Sequence, residues 1–151
     1  MGLLNRIEEL EKELAELKCK VKEGPKFPEY GDGYWYIDDY GYILNEKWDG
    51  LDFEEFRLEI GNMFKTKEQA EFAVEKLKVE AELQKFGRPF KEDEYNYFIE
   101  INSYYKYLAV HSNDSYRTQG TIYFESTAIA NEATDTVGEE RIKKYIFGVE
   151  D

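Results

Sequence analysis

Residues 57–74, from Arg57 to Val74, read R-L-E-I-G-N-M-F-K-T-K-E-Q-A-E-F-A-V, and how they fold decides the architecture of the chain. The segment opens apolar and β-favouring, which predicts a strand from Phe56 to Phe64. Gly61-Asn62 interrupts that strand as a bulge or a left-handed residue. Thr66 and Gln69 then form a T-x-x-Q capping box, the mark of a helix N-terminus, so a helix is expected from Lys67 to about Phe86. Sixty positions later Arg117, Phe124, Ser126, Ala130 and Ala133 stand where Arg57, Phe64, Thr66, Ala70 and Ala73 stood. The chain therefore reads as one strand-to-capped-helix unit used twice.

Outward from this segment, Ala70, Ala73, Val74, Leu77 and Ala81 form a small-residue face suited to a sheet. Phe72, Val79, Leu83 and Phe86 form a second stripe to be covered by the other repeat or by a neighbouring subunit. Upstream, Tyr34–Ile37 and Tyr42–Leu44 predict a hairpin with Gly41 at a positive φ, and Trp48-Asp49-Gly50 predicts a tight turn. Downstream, Tyr95–Ile101, Tyr104–His111 and Tyr116–Phe124 read as three more strands. Ser126 caps the next helix, Gly138 kinks or ends it, and Glu139–Phe147 continues as a last helical piece. The expected class is α+β, an N-terminal coiled-coil helix followed by two β-β-β-α repeats that form one antiparallel sheet with helices packed on it. The corresponding divisions are 1–23 for the helix, 24–30 for a linker at Gly24, Pro25 and Pro28, 31–90 for the first repeat and 91–151 for the second.

The N-terminal stretch is a strict heptad. Ile7, Leu14 and Val21 occupy a positions and Leu3, Leu10 and Leu17 occupy d, with Arg6, Glu13 and Lys20 at g and Glu11 and Lys18 at e. A seam two residues wide is too narrow for a globular core, so this helix is expected to pair with copies of itself as a dimer or trimer.

Composition narrows the function classes. With 151 residues and a formal charge of −13, the chain is too short for a multidomain enzyme and carries the wrong sign for direct nucleic-acid binding. The mean hydropathy of −0.72 and the lack of a long apolar run argue against a membrane span, and the first residues lack a signal-peptide pattern, so an intracellular protein is expected. The single Cys excludes an internal disulfide. His111 is the only histidine, so no transition-metal spacing exists, and no phosphate-cradling or nucleophile motif is present. No cofactor, metal or catalytic residue is expected, and the chain does not read as an enzyme.

Charge and aromatic residues coincide in one place. Between Glu29 and Gly61 stand ten carboxylates (Glu29, Asp32, Asp38, Asp39, Glu46, Asp49, Asp52, Glu54, Glu55, Glu59) against Lys47 and Arg57, a net of −8. Asp38, Asp39, Tyr40, Glu46, Trp48, Asp49, Asp52, Glu54 and Glu55 are accordingly the candidate partner-binding surface. Spaced carboxylates among aromatic rings suit a basic, nucleic-acid-binding groove. The alternative is a solvated face that keeps the protein soluble. Arg57 and Arg117, at matched positions, are candidates to hold an anion, with local ion pairing as the commoner role.

Y-W-Y-I-D-D-Y-G-Y-I (34–43), G-N-M-F-K-T-K-E-Q-A-E (61–71), L-K-V-E-A-E-L (77–83), T-I-Y-F-E-S-T-A-I-A (121–130) and G-E-E-R-I-K-K-Y-I-F-G-V-E (138–150) together resemble a largely uncharacterised family of small proteins encoded by phages and prophages of Gram-positive bacteria. Members often carry a similar N-terminal coiled coil. The resemblance covers nearly the whole chain and implies no catalytic residues. It implies an accessory protein in the cytoplasm of a bacterial host cell, of the kind that counters host defence. The expectation is a non-enzymatic inhibitor of a basic host protein, of anti-CRISPR or other anti-defence type, with an acidic nucleic-acid-mimicking surface. The alternatives are an oligomeric sponge for a small nucleotide signal and a structural virion or assembly protein.

Overall fold

A computed structural model describes residues 2–23 and 26–150. The elements in order are α1 (Leu3–Glu23), β1 (Gly33–Ile37), β2 (Ile43–Lys47), α2 (Asp52–Glu59), α3 (Lys67–Gln84), β3 (Asn96–Ile101), β4 (Leu108–Asn113), α4 (Thr127–Val137) and α5 (Glu139–Tyr145). The fold is α+β, and its strands form two separate two-stranded antiparallel sheets, β1–β2 and β3–β4, instead of the single expected sheet. By contacts the chain divides into two compact units. The first comprises Met1–Tyr36 and Leu44–Lys65, and the second Ile37–Ile43 and Thr66–Asp151. Of the expected linker, Gly24 and Pro25 lie outside the described residues.

In the first unit, α1 is the predicted helix and its whole seam faces solvent, with Leu3, Ile7, Leu10, Leu14, Leu17 and Val21 between 47% and 83% exposed. The hairpin forms where the sequence placed it. Its open end is fastened by Gly31 N–H donating to the Trp48 carbonyl (2.9 Å) and Trp48 N–H donating to the Asp32 carbonyl (2.8 Å).

The largest departure is at Phe56–Phe64, which is not a strand: residues 52–59 are helix α2. Asp52, Glu54 and Glu55 in its first turn and Arg57 in its last suit the helix dipole, a pattern that outweighs the β-favouring side chains. Glu54 also turns back to accept from the backbone N–H of Leu51 at 3.2 Å, half of a capping box. Gly61 does adopt a positive φ (76°), but as a helix stop. Asn62 N–H donates to the Arg57 carbonyl (2.8 Å) and Gly61 N–H to the Leu58 carbonyl (3.1 Å), the two bonds of a Schellman ending. What remains of the expected third strand is one antiparallel bridge, in which Trp35 and Phe64 exchange N–H···O bonds of 2.8 Å.

In the second unit β3 and β4 pair in register from Asn96 opposite Asn113 to Ile101 opposite Leu108. The strand expected from Tyr104 starts only at Leu108. Asn102 Oδ1 accepts from the N–H groups of Tyr104 (3.0 Å) and Tyr105 (2.9 Å), and Lys106 takes a positive φ of 59°, so 102–107 is a turn. Tyr116–Phe124 likewise forms no strand. It contributes the bridges Arg88–Tyr123 and Tyr97–Phe124 only.

The repeat signal keeps a local meaning. Phe64 and Phe124 each bridge the first strand of a hairpin, Trp35 and Tyr97 respectively, and each precedes a capped helix. Thr66 Oγ1 accepts from Gln69 N–H and Ser126 Oγ from Ile129 N–H, both at 3.2 Å.

The second unit is built on Val79, Leu83, Phe124, Ala130, Ala133, Val137 and Ile142. On α3, Ala70, Val74, Val79 and Leu83 are buried, whereas Leu77 and Ala81, expected on the inner face, are exposed. Past the end of α3, Gly87 allows close approach of the Ile122 side chain, since a Cβ there would lie 2.8 Å from Ile122 Cγ2. The polar stretch after it is organised by Asn96, which is fully buried. Its Oδ1 accepts from Lys91 N–H (2.8 Å) and Arg88 Nη1 (2.7 Å), and its Nδ2 donates to the carbonyls of Lys91 and Glu94, both at 2.9 Å.

Candidate partner-binding face and the network beneath it

The centre of the first unit is polar. Alternation along β1 turns Tyr34 and Tyr36 inward, and the only buried residue of α2 is Glu54, 1% exposed. Glu54 Oε2 accepts from the Tyr34 hydroxyl at 2.6 Å, and its Oε1 accepts from the N–H groups of Asp49 (3.0 Å) and Leu51 (3.2 Å). From β2, Glu46 accepts from the hydroxyls of Tyr34 (3.2 Å) and Tyr36 (3.0 Å). Arg57 closes the network by donating from Nη1 to Glu46 Oε2 (2.8 Å) and the Tyr34 hydroxyl (2.9 Å), with its guanidinium 3.6 Å from the centre of the Tyr36 ring. Each charged group here is hydrogen-bonded, two carboxylates sharing one guanidinium and the two tyrosine hydroxyls, the condition under which a polar cluster of this kind holds together.

Titration follows from these partners. Burial alone would raise the Glu54 carboxyl. Bonds from Tyr34, Asp49 N–H and Leu51 N–H, with the Arg57 charge, outweigh it and hold the group below the ordinary glutamate value. Glu46 is held low in the same way, its burial outweighed by Arg57, Tyr36 and Tyr34. Burial first, and then the neighbouring carboxylates, push the Tyr34 and Tyr36 hydroxyls up.

The linkage has a definite sign. The depressed glutamates contribute stability that is present above their unfolded value of about 4.3 and lost as pH falls through the folded value. The raised tyrosines contribute stability present below about 10 and lost as pH rises through theirs. Both tryptophans, Trp35 and Trp48, sit in the first unit, so their fluorescence reports this network. The urea midpoint of that signal is expected to hold level near neutrality and to fall on the acid side below about pH 4.5, with a shallower acid limb in Glu54→Gln. A midpoint independent of pH down to about 3 contradicts the assignment.

The nine residues expected to meet a partner are divided between the two units. Asp38, Asp39 and Tyr40 belong to the second unit, whereas Glu46, Trp48, Asp49, Asp52, Glu54 and Glu55 belong to the first. Glu54 is interior, which corrects its expected surface role, and Glu46 is tied to Arg57 and two tyrosines. Asp38 serves its own turn, its Oδ1 accepting from the N–H groups of Tyr40 (2.9 Å) and Tyr42 (2.8 Å). Trp48 is half-buried with its ring edge-on to Tyr34. Asp39, Tyr40, Asp49, Asp52 and Glu55 are exposed.

Sequence reasoning missed the apolar side of α2. Phe53, Phe56, Leu58 and Ile60 all face solvent, and a 3.6-residue period at Phe53, Phe56 and Ile60 was the available signal, masked by the β propensity of the same residues.

Arg57 and Arg117 play parallel local parts. Arg117 pairs with Glu92 at 2.9 Å and its guanidinium lies 4.9 Å from the centre of the Phe90 ring, as Arg57 pairs with Glu46 over Tyr36. Arg117 does not line a cleft of the second unit of about 590 Å³ between α3, α5 and the Gln119–Ile122 loop. His111 stands 3.6 Å from Glu100. Among the described residues no group of three or more His, Cys, Asp or Glu could hold a metal ion, and no helix is long and apolar enough to cross a membrane. Comparison with protein-family models, curated proteins and solved structures finds no match.

Proposed function

We propose that this is a non-enzymatic, self-assembling binding protein that captures a basic host protein on the acidic, aromatic face of its first unit. In this role it is a phage accessory protein in the cytoplasm of a bacterial host, an inhibitor of anti-CRISPR or other anti-defence type whose carboxylates stand in for nucleic-acid phosphates. The α1 seam supplies the assembly as a dimer or trimer. The observation that carries the proposal is a division of labour among the acids. Glu54, buried, and Glu46, at the exposed edge of the network, satisfy Tyr34, Tyr36 and Arg57, whereas Asp49, Asp52, Glu55 and Glu59 are presented outward with no exposed cation on α2. Glu46 and Glu54 are thus engaged by the network, and the carboxylates that could meet a cationic surface are accessible.

The test is affinity capture from an infected host, comparing the natural chain with a variant carrying Asp49→Asn, Asp52→Asn and Glu55→Gln. A basic nucleic-acid-binding protein should be retained by the natural chain, released as ionic strength rises and lost with the variant. Recovery of no such protein, or retention insensitive to salt, refutes the proposal.

A further inference from the structure

Helix α2 is inside out. Its one buried side chain is a glutamate, and its large apolar side chains are outside, Phe56 63% and Ile60 78% exposed. Phe53, Phe56 and Ile60 follow the spacing i, i+3, i+7, which aligns them in one row along the helix. Asp52, Glu55 and Glu59 follow the same spacing one residue earlier, which sets a carboxylate row beside the apolar one. The only cation on α2 is Arg57, already bound to Glu46 and Tyr34. Two parallel rows, one apolar and one anionic, are what a short cationic amphipathic helix matches, with leucine or phenylalanine against one row and lysine or arginine against the other.

We infer that the α2 face is a docking site for a cationic amphipathic helix of the partner, with Phe56 and Ile60 as the apolar anchors and Asp52, Glu55 and Glu59 as the rim that selects positive charge. This rests on the proposed capture of a basic protein and changes what determines it. The carboxylates steer and select, and the apolar row holds. Charge also argues against a second α2 face as the occupant. Two α2 helices packed on each other would bring together six carboxylates from these rows with no free cation between them. The contact is two helical turns long, so a single copy binds weakly, and copies joined through α1 gain by avidity.

The probe is a fluorescein-labelled helical peptide with leucine on one face and lysine on the other, read by fluorescence anisotropy against a scrambled peptide of identical composition. The patterned peptide should bind at least about tenfold more tightly than the scrambled one. Phe56→Ser with Ile60→Ser should weaken it about tenfold, with the tryptophan-monitored urea midpoint unchanged because both side chains are exposed. Leu58→Ser, an apolar substitution off the row, should leave affinity unchanged. Asp52→Asn with Glu55→Gln and Glu59→Gln should weaken binding at low salt and flatten its salt dependence.

Equal binding of the scrambled peptide, or unchanged affinity in the Phe56 and Ile60 variant while the rim variant loses it, overturns the inference yet leaves capture of a basic protein by charge alone intact. Absence of peptide binding overturns it as well. A lower sedimenting mass of the Phe56 and Ile60 variant without peptide overturns it in favour of self-association. Failure of the host capture alone, with peptide binding retained, counts against the host inhibitor and not against the docking face.

Discussion

Replacing Glu54 by alanine is expected to destabilise the first unit by about 3 kcal/mol or more, a large fraction of the stability of a small domain. The alanine removes the acceptor of the Tyr34 hydroxyl bond and of two backbone N–H bonds, from Asp49 and Leu51. It also takes away half of a helix cap and one of the two carboxylates that offset Arg57. Donors left buried without partners cost about 1–3 kcal/mol each, partly relieved where water reaches them. Glu54→Gln keeps the shape and one acceptor oxygen, so its loss should be roughly half as large. Urea unfolding followed by tryptophan fluorescence measures both, and an alanine variant within about 0.5 kcal/mol of the natural chain would show that the network is not what fastens α2 to the hairpin.

The second large effect is on assembly. Leu10→Asp places a carboxylate in the middle of the α1 seam, where Leu10 is a d position and 47% exposed in the single chain. Each seam leucine or isoleucine buried between helices contributes about 1.5–3 kcal/mol, and a carboxylate there reverses the sign. The variant should sediment as one chain of 17.9 kDa. Helical ellipticity should drop with it, because a 21-residue helix without a partner is marginal in water. The tryptophan-monitored urea midpoint should not change. An unchanged sedimenting mass refutes the coiled-coil assignment.

Local signals in the sequence translated well, and those that needed tertiary context did not. The caps at Thr66 and Ser126, the turn glycine Gly41 and the N-terminal helix could be read from a few neighbouring residues, because each satisfies its own backbone or follows a strict period. Phe56–Phe64 could not. Its aromatic and branched residues carry β propensity, while the dipole-matched charges and the Gly61 stop carry helix, and Glu54 adds a bond to Tyr34 twenty positions away that no local pattern reveals. The same long-range bond withdrew Glu54 from the expected binding surface. Asn96 was hidden for a related reason, since a buried asparagine bonding to loop carbonyls has no pattern in a string of residues. The repeat at sixty residues proved to be a shared bridge, cap and helix, with different structures inserted before each.

An inside-out helix also separates what mutation can change from what it cannot. Tyr34, Glu46, Glu54 and Arg57 hold one another, so no one of them can drift alone without leaving a buried group unsatisfied. Phe56 and Ile60 are exposed, and the carboxylates beside them take no part in that network. Across related chains the four inner positions are expected to stay fixed or change together. The outer rows are free to diverge at the pace of whatever they bind, so a comparison of closely related sequences would show the docking face as a patch of rapid variation on a constant frame.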